Sequence, residues 1–247
     1  QRKRNPSAPF ITSTLQQEAA RKLGFTARKT MMVAQQLYEG IDIGSGTMGL
    51  ISYMRTDSVH LASEAVDEIR EYICERYGVE NCANKVRVFK TKSKNAQEAH
   101  EAIRPTSIKR YPEMVEQSLT SDQFKLYSLI WKRTLACQMA EALLNTVAVD
   151  MHCGEGNIFR ANGSTIVFPG FLTVYEEGRD DSKDDDDHNA VLLPTLAVGD
   201  KIALLDILAS QHFTEPPPRY SEASLVKALE EFDIGRPSTY ASIIHTL

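Results

Sequence analysis

Tyr53 and Arg55 stand two residues apart in Gly49-Leu-Ile-Ser-Tyr-Met-Arg-Thr-Asp-Ser58. The apolar run from Met48 to Met54 predicts a short strand. Side chains alternate along a strand, so the phenol and the guanidinium would point the same way. A phenol titrates at about pH 10 and is a poor nucleophile at neutral pH. A guanidinium beside it favours the phenolate and binds a phosphate through a forked pair of hydrogen bonds. Tyr plus Arg at this spacing is therefore a unit suited to covalent attack on a phosphodiester. The same spacing also fits a half-buried tyrosine at a strand end beside a surface arginine, and on spacing alone that is the commoner case. Thr56, Asp57 and Ser58 are all N-cap types, so Asp57 could simply open the next helix.

Two further segments carry chemistry. In Asn95-Ala-Gln-Glu-Ala-His-Glu-Ala-Ile-Arg-Pro105, the residues Glu98, His100, Glu101 and Arg104 fall within seven positions. His100 could contact a phosphate or relay a proton. A metal site is disfavoured, because the spacing is not H-E-x-x-H and no second histidine is near. The bland alternative is an ion-paired surface helix. In Ile234-Gly-Arg-Pro-Ser-Thr-Tyr240, Pro237 predicts a helix start with Ser238, Thr239 and Tyr240 in the first turn. Free N–H groups and the dipole attract anions there, and Arg236 adjoins them. A phosphate seat and an ordinary capped N-terminus fit these residues equally.

The elements that must position these groups can be read from periodicity. Residues 12–38 predict two helices. Leu15, Ala19 and Leu23 line the first, which Gly24 stops. Thr26 caps the second, with Ala27, Met31, Ala34, Leu37 and Tyr38 on one face. Glycines 40, 44, 46 and 49 predict a flexible loop. Ser58 or Ser63 opens another helix, with Val66, Ile69, Ile73 and Tyr77 inward. Val86–Phe89 reads as a short strand, and 90–106 as a polar loop or short helix. Thr120-Ser-Asp-Gln123 is a capping box ahead of a helix carrying Phe124, Tyr127, Ile130, Trp131 and Leu135. From Leu143 the period changes to two, with further strands predicted at 157–161, 164–168, 171–176 and 201–208. After Pro216-Pro-Pro218 the pattern returns to helix, with Leu225, Leu229 and Phe232 on one face. The order is helical, then β, then helical.

Composition narrows the class. The chain has 247 residues, with 42% hydrophobic and 25% charged. These values exclude a disordered tail, a collagen and a coiled coil, and allow one to two domains. No apolar run reaches the roughly 18 residues of a membrane span. The four cysteines form no C-x-x-C pair, so neither a zinc ribbon nor a disulfide framework is supported, and a cytoplasmic setting is expected. The net charge of −5 hides an asymmetry: residues 1–110 hold 18 Lys and Arg against 12 Asp and Glu, and the remainder is strongly acidic. Six aspartates fall in 180–187. The basic half could face phosphates. The missing initiator Met and the helical spacing of Tyr240, Ile243, Ile244 and Leu247 suggest a piece of a longer protein.

Taken together and in order, these segments resemble the bacterial type IA DNA topoisomerases. The matching blocks are Pro9-Phe-Ile-Thr-Ser-Thr-Leu-Gln-Gln17, Lys29-Thr-Met-Met32, residues 49–58, residues 96–105, Glu222-Ala-Ser-Leu-Val-Lys227 and Ile234-Gly-Arg-Pro-Ser-Thr-Tyr-Ala-Ser-Ile-Ile244. The resemblance implies an α+β multidomain toroid that holds DNA. It implies a winged-helix-like helical domain with the nucleophilic tyrosine at 1–141 and a β-rich arch domain at 142–210. The start of a domain gripping single-stranded DNA would follow at 211–247. Tyr53 matches the nucleophile, which forms a 5′-phosphotyrosine link, and Arg55 the arginine beside it. His100, Arg236, Ser238 and Thr239 match DNA-contacting positions. The implied enzyme is a monomer that relaxes negative supercoils without ATP, with single-stranded DNA as partner. Its Mg²⁺ would be held by a Toprim domain that precedes these blocks, so the ligands would lie outside this chain and these residues alone would not cleave DNA. The loop 40–49 and the acidic run 180–187 look like insertions. Two other readings compete: a winged-helix binding module without chemistry, and a tyrosine recombinase, for which the required array of Arg and His is not found.

Overall fold

The computed structural model describes residues 1–44, 46–90, 100–178, 193–194, 196–214 and 216–246. Four helices surround the main core: α1 (Thr12–Leu23), α2 (Ala27–Glu39), α3 (Ser63–Tyr77) and α5 (Ser121–Ala136). A short α4 (Pro112–Val115) precedes the last of them. Their inward faces follow from 3.6-residue periodicity. Leu15 and Ala19 of α1, Ala34 and Leu37 of α2, Ile69 and Ile73 of α3, and Leu126, Tyr127, Ile130 and Leu135 of α5 are buried in one cluster. The expected caps are present: Gly24 takes a left-handed conformation after α1, and the Thr26 hydroxyl accepts the Lys29 N–H. The Thr120–Gln123 capping box closes reciprocally.

The β part is a three-stranded antiparallel sheet in the order β1 (Arg2–Arg4), β4 (Ala142–Cys153), β5 (Asn157–Phe168). Where two strands were expected at 157–161 and 164–168, a single strand runs through. Gly163 pairs with Val147 within the ladder, so the glycine causes no break. A hairpin of two short strands, β2 (Ile41–Asp42) and β3 (Thr47–Met48), occupies the glycine loop, with Ser45 outside the described residues. After an exposed stretch, α6 (Glu222–Glu231) and α7 (Tyr240–Thr246) pack back on the helical part, α6 against α1 and α7 against α2.

Several expectations are corrected. The strand expected at 48–54 ends at Met48. Beyond it Leu50 N–H bonds the Leu37 carbonyl of α2, and residues 50–52 meet 104–106 only in a single antiparallel bridge, Ser52 N–H bonding the Arg104 carbonyl and Thr106 N–H the Leu50 carbonyl, which is too short to form a strand. Val86–Phe89 is not a strand, because the Gln138 side chain takes the ladder's place: its Oε1 accepts the Arg87 N–H and its Nε2 donates to the Arg87 carbonyl. Residues 170–173 form a 3₁₀ turn. Phe171 N–H bonds the Ala140 carbonyl, and Gly170 has φ 48° with Ala140 and Glu141 oxygens where a Cβ would sit. Residues 201–208 form no regular element and expose Leu205 and Leu208. Helix α3 begins at Ser63, so neither Asp57 nor Ser58 opens it. The buried face of α6 is Ala223, Val226 and Leu229, while Phe232 is 72% exposed. Tyr38, expected on the inner face of α2, is exposed. The acidic run 180–187, Glu98 and Leu247 lie outside the described residues.

Candidate active site

Tyr53 is 42% exposed, and Arg55 is exposed as well. Met54 and Thr56 between and after them are buried. The alternation inferred for a strand therefore holds although no strand forms: the inner residues anchor the segment and the outer two face solvent on it. What replaces the ladder is Thr12, the first residue of α1. Its Oγ lies 2.8 Å from the Met54 carbonyl and 3.1 Å from the Thr56 carbonyl, and it accepts the Thr56 N–H at 2.9 Å. The Thr12 N–H donates to the Thr56 carbonyl at 2.9 Å. On the other flank, the Tyr53 ring meets the Tyr38 ring edge to face, with centroids 5.3 Å apart. Close approach of α2 to this segment needs Gly49, since a Cβ there would sit 2.5 Å from the Tyr38 carbonyl oxygen.

The second segment is brought alongside. Ile51 bridges Pro105, and the Ser52 hydroxyl donates to the Ala102 carbonyl at 2.7 Å and accepts the Arg104 N–H at 3.0 Å. Ala102 N–H bonds the His60 carbonyl, and Ile103 pairs with Phe10. Glu101 is structural: one carboxylate oxygen accepts the Ala62 N–H at the start of α3 at 2.7 Å, and both oxygens hold the Arg104 guanidinium. The bland reading thus wins for Glu101 and Arg104. His100 is exposed. Helix α5 fixes the segment's far end, through Trp131 Nε1 to the Ile108 carbonyl and the Tyr127 hydroxyl to the Arg110 carbonyl.

The third segment returns from far along the chain. Arg236, Ser238 and Thr239 are exposed. They form a turn ahead of α7 rather than its first turn. The Thr239 hydroxyl accepts the Arg236 N–H at 2.8 Å, which closes the turn and lets the helix start at Tyr240. The Tyr240 hydroxyl lies within electrostatic reach of Asp57, Glu230, Asp233 and Arg236. Burial first, and then those carboxylates, push its pKa above the ordinary phenol value, against the Arg236 cation. Tyr240 therefore stays protonated, and α7 behind the turn packs against α2 and α6.

Docking of this turn depends on residues that the motif reading passed over. The Glu222 carboxylate accepts the Ala27 N–H at 2.6 Å, capping α2 from α6. Arg28 and His245 lie 3.2 Å apart. Thr12 and Glu222 both fall in blocks that the resemblance matched, but nothing local in the sequence marks either as an anchor. Among the described residues, no three His, Cys, Asp or Glu side chains group closely enough to hold a metal ion. No described helix is long and apolar enough to cross a membrane.

A family model described as DNA topoisomerase matches residues 1–247. DNA topoisomerase 1 of Xylella fastidiosa (strain Temecula1) is 58% identical over 248 residues, covering 100% of this chain and 30% of that protein. DNA topoisomerase 1 of Rickettsia felis is 54% identical over 248 residues, covering 100% of this chain and 32% of that protein. The structure of full-length topoisomerase I from Thermotoga maritima matches with a TM-score of 0.78 and 38% identity, over 100% of this chain and 38% of that one. The chain thus spans less than a third of these curated relatives' length.

Proposed function

Since the chain belongs to the DNA topoisomerase family, we propose that it supplies the cleavage tyrosine of a type IA enzyme. Tyr53 Oη attacks a phosphodiester of single-stranded DNA, forms a 5′-phosphotyrosine, and releases a 3′-hydroxyl. The bond energy is kept in the ester, so strand passage and religation need no ATP. The carrying observation is the exposed Tyr53 phenol on a backbone pinned immediately after it, with exposed Arg55 two residues on. Arg55 stabilises charge on the scissile phosphate. His100 and the turn of Arg236, Ser238 and Thr239 supply phosphate contacts along the bound strand.

The division of labour follows the same reading. Residues 1–141 form the winged-helix-like domain of the nucleophile, 142–210 the arch, and 211–247 the start of the strand-gripping domain, joined to the first by α6 and α7. Arg2–Arg4 cross this division to pair with β4. Mg²⁺, and the acid that protonates the leaving 3′-oxygen, are assigned to the Toprim portion of the longer polypeptide. The longer protein acts as a cytoplasmic monomer. A winged-helix module without chemistry is not favoured, because a purely structural tyrosine has no need of an exposed phenol on an anchored backbone. The test is Tyr53→Phe in the longer protein. Relaxation of negatively supercoiled DNA should disappear while DNA binding persists, and retained relaxation would refute the assignment.

A further inference from the structure

We infer that Thr12 is a positioning residue for the Tyr53–Arg55 unit, acting by fixing the backbone on both sides of Arg55. The inference rests on the reading of Tyr53 as nucleophile. Thr12 is fully buried, 41 residues from Tyr53 in sequence, and touches no exposed part of the site. Its side chain and N–H together engage three backbone groups: the Met54 carbonyl, the Thr56 N–H and the Thr56 carbonyl. These are the peptide groups that decide where the Arg55 Cα lies and how its side chain leaves the surface.

Threonine suits the task for physical reasons. Its branched Cβ restricts χ1, so the hydroxyl is held in place rather than searching for partners. The hydroxyl both donates and accepts, which a carbonyl and an N–H on the same segment require. The first N–H groups of a helix have no partner within it, so the Thr12 N–H is free to reach outward to Thr56. Thus α1 is tied by its first turn to the reacting segment, and the segment gets from one residue what a neighbouring strand would otherwise provide. Nucleophile and phosphate clamp must hold their geometry to a fraction of an ångström; a shift of about 1 Å costs roughly a hundredfold in rate.

A residue that merely stabilises the fold and one that positions the site differ in what their loss changes. Thr12→Val keeps shape and branching but removes the hydroxyl, leaving the Met54 carbonyl and the Thr56 N–H without it. Thr12→Ser keeps the hydroxyl and loses only a methyl. In the longer protein, three quantities should be measured for each: the melting temperature, the Kd for a single-stranded oligonucleotide, and the single-turnover rate of covalent adduct formation at saturating enzyme, well below the melting point. For T12V we expect unchanged DNA affinity and adduct formation slowed by about tenfold or more, with T12S restoring most of the rate. If T12V does not fold, Thr12→Cys, matched in size to Ser but a far weaker hydrogen-bonding group, is compared with T12S under the same expectation. Equal adduct rates for the parent and T12V, or for T12S and T12C, would overturn the inference, as would T12S being as slow as T12V. Tyr53→Phe in the same assay separates the two claims. An adduct persisting there sinks the nucleophile reading and the inference with it. Its loss beside normal T12V cleavage sinks the inference alone.

Discussion

Replacing Arg55 by Lys separates charge from geometry. Lysine keeps the positive charge on a flexible stem but cannot offer two parallel N–H donors to one phosphate. Loss of one preorganised donor typically costs about 3 kcal/mol, or roughly a hundredfold in rate. Arg55→Lys should therefore slow DNA cleavage markedly with little change in binding, read as adduct formation under single turnover. A near-normal rate would mean that Arg55 is only a surface cation. At this scale the sequence was legible for the groups that would react and silent on those that hold them. Tyr53, Arg55, His100 and Arg236 are all exposed, as their proposed work requires. Glu101 and Arg104 belong to the same motif by position, yet they bond each other and the start of α3. Thr12 could not be found by spacing, because its partners lie more than forty residues away and are backbone atoms, which are alike at every position.

Between elements, the joint of α1, α5 and the segment after β5 is built on buried charge. Glu18 of α1 is buried and accepts the Tyr175 hydroxyl at 2.6 Å and the Gly178 N–H. Arg133 of α5, also buried, reaches the Tyr175 hydroxyl, the Glu177 carboxylate and the Ala8 carbonyl. Burial alone would raise the Glu18 pKa. The bonds from Tyr175 and Gly178, then the Lys22 and Arg21 cations, outweigh it and hold the carboxyl below the usual carboxylate value. A carboxyl whose folded value is depressed takes up protons more readily in the unfolded chain. Its contribution to stability is complete above the unfolded value of about 4.3 and is lost as pH falls through the lower, folded value. Glu18→Gln should lower stability near neutrality and flatten the acid side of the stability curve. Urea midpoints measured from about pH 7 down to 3 would show this as a gap between parent and variant that narrows with falling pH; a constant gap would contradict the assignment. No periodicity points to this joint. The helices and the long strands were legible because each has an apolar face repeating at its own period. The strands expected at 86–89, 171–176 and 201–208 were apolar runs without a ladder partner; at 86–89 the Gln138 side chain supplies the bonds instead, and apolar runs alone do not say which backbone meets which.

Across the whole molecule, residues 222–246 fold back onto the helical part, α6 on α1 and α7 on α2. The Glu222 cap on α2 and the contact of Arg28 with His245 bring the acidic later part of the chain, and the Arg236 turn with it, back onto the basic earlier part. The charge asymmetry pointed to a basic face but not to this return, since the order of the blocks in sequence carries no distance between them. The central claim is that Tyr53, and not its ring neighbour Tyr38, becomes joined to DNA. Cleavage after Lys29 and Arg55 leaves both tyrosines on one peptide, Thr30–Arg55. The longer protein should be trapped on single-stranded DNA, digested with nuclease and then with trypsin, and the adducted peptide fragmented in a mass spectrometer. The residual nucleotide should sit on the Tyr53 phenol through its 5′-phosphate. A nucleotide on Tyr38, or on any residue outside this peptide, would contradict it.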